Sequence, residues 1–152
     1  ARAICVYLLR ESPRNIYILN RTYDRGEMLA NELNEVFNCN TVTPIKRAKL
    51  DRLAYDILIN TTSVGMFPHI NDSPLEEYSF NPNTVVIDII YNPTETRLLR
   101  EAKAQGCMIQ NGLAMLIGQA LASIEIWTGE KISYNLCHDM LKNHKTLIDF
   151  FK

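Results

Sequence analysis

The segment Thr84–Ile90, Thr-Val-Val-Ile-Asp-Ile-Ile, is almost continuously apolar. A strand with one wet face alternates apolar and polar residues, whereas a run like this is expected where both faces are covered, as in a parallel sheet flanked by helices. Parallel neighbours need crossover connections, so the rest of the chain should alternate strands with helices. It does. Asn15–Asn20 and Asp56–Thr61 read as strands with apolar centres, and Thr41–Ile45 and Cys107–Gln110 as shorter ones. Helical patterns fall between them. Ala1–Arg10 carries Ile4, Cys5, Leu8 and Leu9 on one stripe and is stopped by Ser12-Pro13. Asp24–Phe37 is expected to bury Met28, Leu29, Leu33, Val36 and Phe37. Thr96–Gln105 ends at Gly106 and Gly112–Thr128 at Gly129, where glycine suits the C′ position. Ser133–Phe151 is an amphipathic C-terminal helix with Cys137, Met140, Leu141, His144, Leu147, Ile148 and Phe151 along one stripe.

The expected fold class is therefore α/β, a Rossmann-like doubly wound and mainly parallel sheet, with residues 1–152 as one domain. Such a sheet normally opens with a strand and a glycine-rich turn before its first helix. This chain opens on the helix, so it is expected to lack both and to be a segment of something longer. With 152 residues it can bury a sizeable core. The charges nearly cancel, 16 basic against 17 acidic, which excludes a general nucleic-acid or membrane footprint but not a local basic pocket. One basic segment, Lys46 to Arg52, follows the short Thr41–Ile45 strand. No apolar run is long enough to span a bilayer, and no signal peptide is visible. The four cysteines never form a close pair, so zinc and disulfides are not expected, and unpaired thiols suit a reducing, cytoplasmic location.

In doubly wound folds ligands meet the carboxyl ends of the strands. Asn20, Arg21, Thr22 and Arg25 follow the Asn15–Asn20 strand, where an acid would select the ribose hydroxyl of NAD. Two arginines, a hydroxyl and a helix N-terminus suit a phosphate instead, although a capped helix with solvated arginines has the same sequence. After the next long strand comes Asn60-Thr61-Thr62-Ser63-Val64-Gly65-Met66, which can line a ligand but is explained more simply as a turn. Asp88 lies inside an apolar strand and must have a partner. Tyr91 follows it at the strand end. Gly112, Met115 and Gln119 share one helix face. The three histidines lack partners at catalytic or metal spacing and receive no role.

Taken together and in order, these groups resemble the NADP-binding domain of the shikimate dehydrogenases. The matching residues are Asn20-Arg21-Thr22 with Arg25; Asn60 to Ser63 with Gly65-Met66; Asp88 with Tyr91, Pro93 and Thr96; and Asn111-Gly112-Leu113 with Met115-Leu116 and Gln119. Ala1-Arg2-Ala3 looks like the residues just after that family's glycine-rich loop. The resemblance implies an oxidoreductase of aromatic amino-acid biosynthesis that interconverts 3-dehydroshikimate and shikimate with NADP. It implies that Asn20, Arg21, Thr22 and Arg25 bind the 2′-phosphate, that Thr62 and Ser63 line the cofactor cleft, and that Ile89 and Gly112 meet the nicotinamide half with Met115 nearby. Tyr91 and Gln119 would reach the substrate. The family's catalytic lysine and aspartate belong to an N-terminal substrate domain with no counterpart here, so no catalytic residue is assigned and the chain alone is expected to be inactive. Two alternatives stay open: a quinate/shikimate dehydrogenase using NAD, and a non-catalytic module that senses cofactor or metabolite.

Overall fold

A computed structural model describes residues 1–142. They fall in two compact units that divide between Ala54 and Tyr55.

The first unit contains α1 (Arg2–Arg10), β1 (Ile16–Leu19), α2 (Tyr23–Val36), β2 (Val42–Ile45) and the single turn α3 (Arg47–Leu50). The strands β1 and β2 pair in parallel, from Ile16 opposite Val42 to Leu19 opposite Ile45. Pro44 offers no N–H to a ladder, which suits the edge position of β2 in this two-stranded sheet. Cys5, Ile16, Ile18, Ala30, Leu33 and Val42 form the core, with Leu8, Leu9, Leu29 and Phe37 packed against it. The predicted face of α2 needs correction: Met28 and Val36 are each 71% exposed. Of the predicted stripe Leu33 is buried and Leu29 and Phe37 pack against the core, and Gly26 and Ala30 take the inward places of Met28 and Val36. Small residues let the helix axis approach the strands, and that approach, more than side-chain size, sets which face turns inward. Asn34 joins α2 to β2, because its Nδ2 donates to the Val42 carbonyl at 2.8 Å and its Oδ1 accepts from the Val42 N–H at 3.0 Å.

The second unit contains β3 (Ile57–Asn60), β4 (Val85–Asp88), α4 (Arg97–Ala104), β5 (Met108–Gln110), α5 (Leu113–Thr128) and α6 (Tyr134–Lys142). Its sheet has the order β3-β4-β5, all parallel, with Asn60 opposite Asp88 and Ile87 opposite Gln110. The central strand is the apolar one: Val86 and Asp88 have no exposed surface, and Val85 and Ile87 are half-buried. Leu98, Leu99 and Ala102 of α4 are buried with Val86, Ile90, Leu113 and Ile117 in this unit's core.

The long connection from β3 to β4 is pinned by Gln105 at the end of α4. Its Oε1 accepts from the Phe80 N–H at 2.8 Å and its Nε2 donates to the Tyr78 carbonyl at 3.1 Å. Tyr78 and Phe80 meet edge to face, with ring centroids 4.9 Å apart. Both expected glycine stops carry left-handed backbone, Gly106 at φ 89° and Gly129 at φ 74°. The predicted last helix is present as far as Lys142; His144, Leu147, Ile148 and Phe151 lie outside the described residues.

Candidate functional site

Each unit presents a group of polar residues at the carboxyl edge of its own sheet. In the first unit, β1 ends at Leu19 and the chain turns into α2 through Asn20, Arg21 and Thr22. Asn20 shapes this turn by donating from Nδ2 to the Thr22 carbonyl at 2.9 Å. Thr22 holds the N-cap position of α2 with extended backbone, but its hydroxyl makes no capping bond. That matters for the choice left open by the sequence. A threonine present only to cap would use its oxygen on the helix amides. Here the Oγ1 makes no such bond, beside helix amides that favour an anion. Arg21 and Arg25 are exposed, and neither forms an ion pair among the described residues.

In the second unit, a buried network organises the strand ends. The carboxyl group of Asp88 has no exposed surface. Its Oδ1 accepts from Asn60 Nδ2 at 3.1 Å and from the Ile90 N–H at 3.1 Å, and its Oδ2 accepts from the Thr96 hydroxyl at 2.7 Å. The partner that the sequence demanded for Asp88 is thus a set of three donors and no cation. Thr96 in turn accepts from the Leu99 N–H at 3.4 Å and so caps α4. Asn60 passes the order outward, because its Oδ1 accepts from the N–H and the hydroxyl of Thr62 at 3.0 and 2.8 Å. The Thr62 oxygen then accepts from the Val64 N–H at 3.1 Å. One buried carboxylate therefore ties together the end of β3, the end of β4 and the start of α4.

A cleft of about 390 Å³ opens over this network, lined by Thr62, Ser63, Met66, Phe67, Ile89 and Tyr91 among others. Tyr91 is 45% exposed and Phe67 66%. Behind the cleft, Gly112 approaches the Ile89 backbone so closely that a Cβ built on it would lie 1.9 Å from the Ile89 carbonyl oxygen. Its N–H donates to the Ile90 carbonyl at 3.0 Å, and its own carbonyl accepts from the Leu116 N–H at 3.0 Å. The N–H is thus used within the chain, while the carbonyl oxygen keeps a second lone pair.

Of the residues singled out in the sequence, Thr62, Ser63, Ile89 and Tyr91 share this cleft. Met115 and Gln119 stand on the same helix as Gly112 but one and two turns along, exposed and apart from the cleft lining. Asn20, Arg21, Thr22 and Arg25 belong to the other unit. Sequence reasoning missed Met66 and Phe67 as lining residues, although Met66 was quoted within the loop. Lys46, read from the sequence only as part of a basic segment, has its ammonium over the Tyr23 ring, 5.2 Å from the centroid.

Cys5, Cys39 and Cys107 are free thiols, and burial raises the pKa of the Cys5 and Cys107 thiols. Among the described residues no three His, Cys, Asp or Glu side chains converge as a metal site would require, and no helix is long and apolar enough to cross a membrane.

Residues 1–98 match the family described as shikimate / quinate 5-dehydrogenase, and residues 112–139 match the shikimate 5′-dehydrogenase C-terminal domain. A shikimate dehydrogenase (NADP(+)) from Methanococcus aeolicus is 41% identical over 137 residues, which is 90% of this chain and 49% of the relative. Among solved structures, a shikimate dehydrogenase in complex with NADP+ superposes with a TM-score of 0.75 at 36% identity, covering 86% of this chain and 46% of that one. The shikimate 5-dehydrogenase of Listeria monocytogenes, in complex with shikimate and NAD, gives 0.79 at 30% identity, covering 91% and 51%. The chain thus spans about half the length of the curated relatives it matches.

Proposed function

The chain belongs to the shikimate dehydrogenase family, and on that premise we propose that residues 1–152 are the NADP-binding domain of an enzyme that reversibly reduces 3-dehydroshikimate to shikimate. The observation that carries the cofactor reading is the group at the start of α2: two arginines without ion-pair partners among the described residues, and an N-cap hydroxyl that does not cap. Arg21 would meet a 2′-phosphate through parallel charge-assisted bonds, with Arg25, Thr22, Asn20 and the α2 amides completing the field.

When bound, the nicotinamide supplies the hydride. The residues of this chain bind and orient. Thr62 and Ser63, held by the Asp88–Asn60 network, would line the cofactor path. The Ile89 backbone and the Cα of Gly112 would form a flat wall against which a planar ring can lie, with Met115 nearby. The close approach at Gly112 holds the start of α5 against Ile89, because any side chain there would stand in the Ile89 backbone.

Tyr91 and Gln119 would hold substrate hydroxyls. Proton transfer would fall to the lysine–aspartate pair of a substrate domain, in line with relatives about twice this length. The same reading places the enzyme in the cytoplasm and makes the 152-residue chain inactive by itself.

The test is steady-state kinetics with NADP and NAD on the native-length protein, with the 152-residue chain as the inactive control. Arg21→Ala should lower kcat/KM for NADP by roughly two powers of ten and barely change that for NAD, because a hydroxyl cannot use the lost charge. Arg21→Asp should reverse the preference. If Arg21→Ala impairs both cofactors equally, the group is a helix start and the NADP assignment fails. The Listeria relative, solved with NAD, makes this comparison a discriminating one.

Gln119→Ala addresses the substrate side. It should reduce kcat/KM for shikimate about three- to tenfold and leave the NADP dissociation constant unchanged, as for loss of one buried hydrogen bond. An effect on NADP alone would move Gln119 to the cofactor.

A further inference from the structure

The first unit has a cavity that the residues discussed so far do not use. It measures about 410 Å³ and lies at the end of β2, walled by Tyr23, Pro44 and Ile45 and edged by Lys46, Lys49 and Arg52. Its charge is unbalanced. Arg47, the other cation of this segment, is paired with Asp51 at 2.8 Å, whereas Lys46, Lys49 and Arg52 form no ion pair among the described residues.

Its position is fixed by strand pairing. Leu19 of β1 lies opposite Ile45 of β2, so Lys46 leaves the sheet at the same edge as Asn20 and Arg21. Neighbouring strands are about 4.8 Å apart, and a lysine side chain spans more than that. The Lys46 ammonium already leans toward α2, over the ring of Tyr23, the first residue of that helix. A cation on an aromatic face in an open cavity is held weakly and can exchange that face for an anion.

We propose that this cavity is an anion-binding extension of the nucleotide site and that Lys46 is a specificity-determining residue, a third cation that meets the ribose 2′-phosphate together with Arg21 and Arg25. The inference rests on the NADP reading above. In this arrangement Tyr23 parks the ammonium when the site is empty. The apolar walls from Pro44 and Ile45 keep competing water off one side of the phosphate. Lys49 and Arg52 raise the local potential without touching it.

The experiment measures the binding of adenosine 2′,5′-bisphosphate and of adenosine 5′-monophosphate to the native-length protein over a range of salt concentrations. Lys46→Met keeps the stem and removes the charge. It should weaken the bisphosphate about five- to tenfold, leave the monophosphate unchanged, and flatten the salt dependence of bisphosphate binding. Lys46→Arg should restore most of the loss. Bisphosphate binding unchanged in Lys46→Met, while Arg21→Ala still weakens it, overturns the role of Lys46 and leaves the NADP reading standing. Equal weakening of both nucleotides also overturns it, since Lys46 would then serve the adenosine body or the local fold. If Arg21→Ala has no effect on the bisphosphate, both readings fall together.

Discussion

Asp88→Ala is expected to destabilise the native-length protein by about 3–4 kcal/mol, which for a domain of this size lowers Tm by roughly 6–16 °C. The carboxylate has no exposed surface and accepts from Asn60 Nδ2, the Ile90 N–H and the Thr96 hydroxyl. Alanine leaves all three donors buried without an acceptor, and each such group costs about 1–3 kcal/mol before water or rearrangement relieves part of it. Asp88→Asn separates shape from hydrogen bonding. Its oxygen can keep the bonds to Asn60 and Ile90, but its amide faces a Thr96 hydroxyl that now has to turn its proton elsewhere. About 1–2 kcal/mol is expected for that variant. Thermal unfolding of the three proteins gives the order wild type, Asn, Ala. An Ala variant as stable as the Asn variant would show that the network is not what holds the strand ends. Nucleotide affinity should fall with stability, because Thr62 is held by the Asn60 side chain.

Gly112→Ala is expected to be nearly as damaging, at about 3 kcal/mol or more, for a different reason. The backbone of Gly112, at φ −77° and ψ 0°, is one that alanine adopts readily, so conformational preference predicts little. The added methyl, however, would sit 1.9 Å from the Ile89 carbonyl oxygen and 2.3 Å from its carbon. Both obstacles are main chain and cannot rotate away. Either the start of α5 or the end of β4 has to move, and the hydrogen bond from the Gly112 N–H to the Ile90 carbonyl goes with it. The damage falls on the wall of the cleft. The expected result is a lower Tm together with a large loss of dinucleotide binding. Gly112→Ala with wild-type Tm and affinity would mean that the close approach is not needed for either.

These two positions show how unevenly the sequence reveals its own structure. Asp88 could be flagged because a charge in Val-Val-Ile-Asp-Ile-Ile has to be compensated. Its partners could not, since Asn60, 28 residues away, meets Asp88 only once β3 pairs with β4, and Thr96 only once the chain turns back into α4. Gly112 could be read as a point of close backbone approach, but not that the approaching chain is its own Ile89. The inward face of α2 was misjudged for a related reason. Large apolar residues mark a candidate stripe, and packing against the first unit's core chose the one with Gly26 and Ala30, leaving Met28 and Val36 in solvent.

By itself the sequence determined the order and type of the elements apart from the single turn α3, the parallel character of the strands, the glycine stops of two helices and the residues that mark the family. All of these are local: they depend on periodicity, on backbone freedom, or on residue types a few positions apart along the chain. The tertiary structure alone decided which donors satisfy Asp88, which residues line the cleft, that the Thr22 hydroxyl makes no capping bond, and that the Lys46 ammonium lies over Tyr23. Those facts depend on contacts between residues remote in sequence. Such contacts are fixed by strand register and helix approach, where a shift of a single residue or a few tenths of an ångström would change the partner.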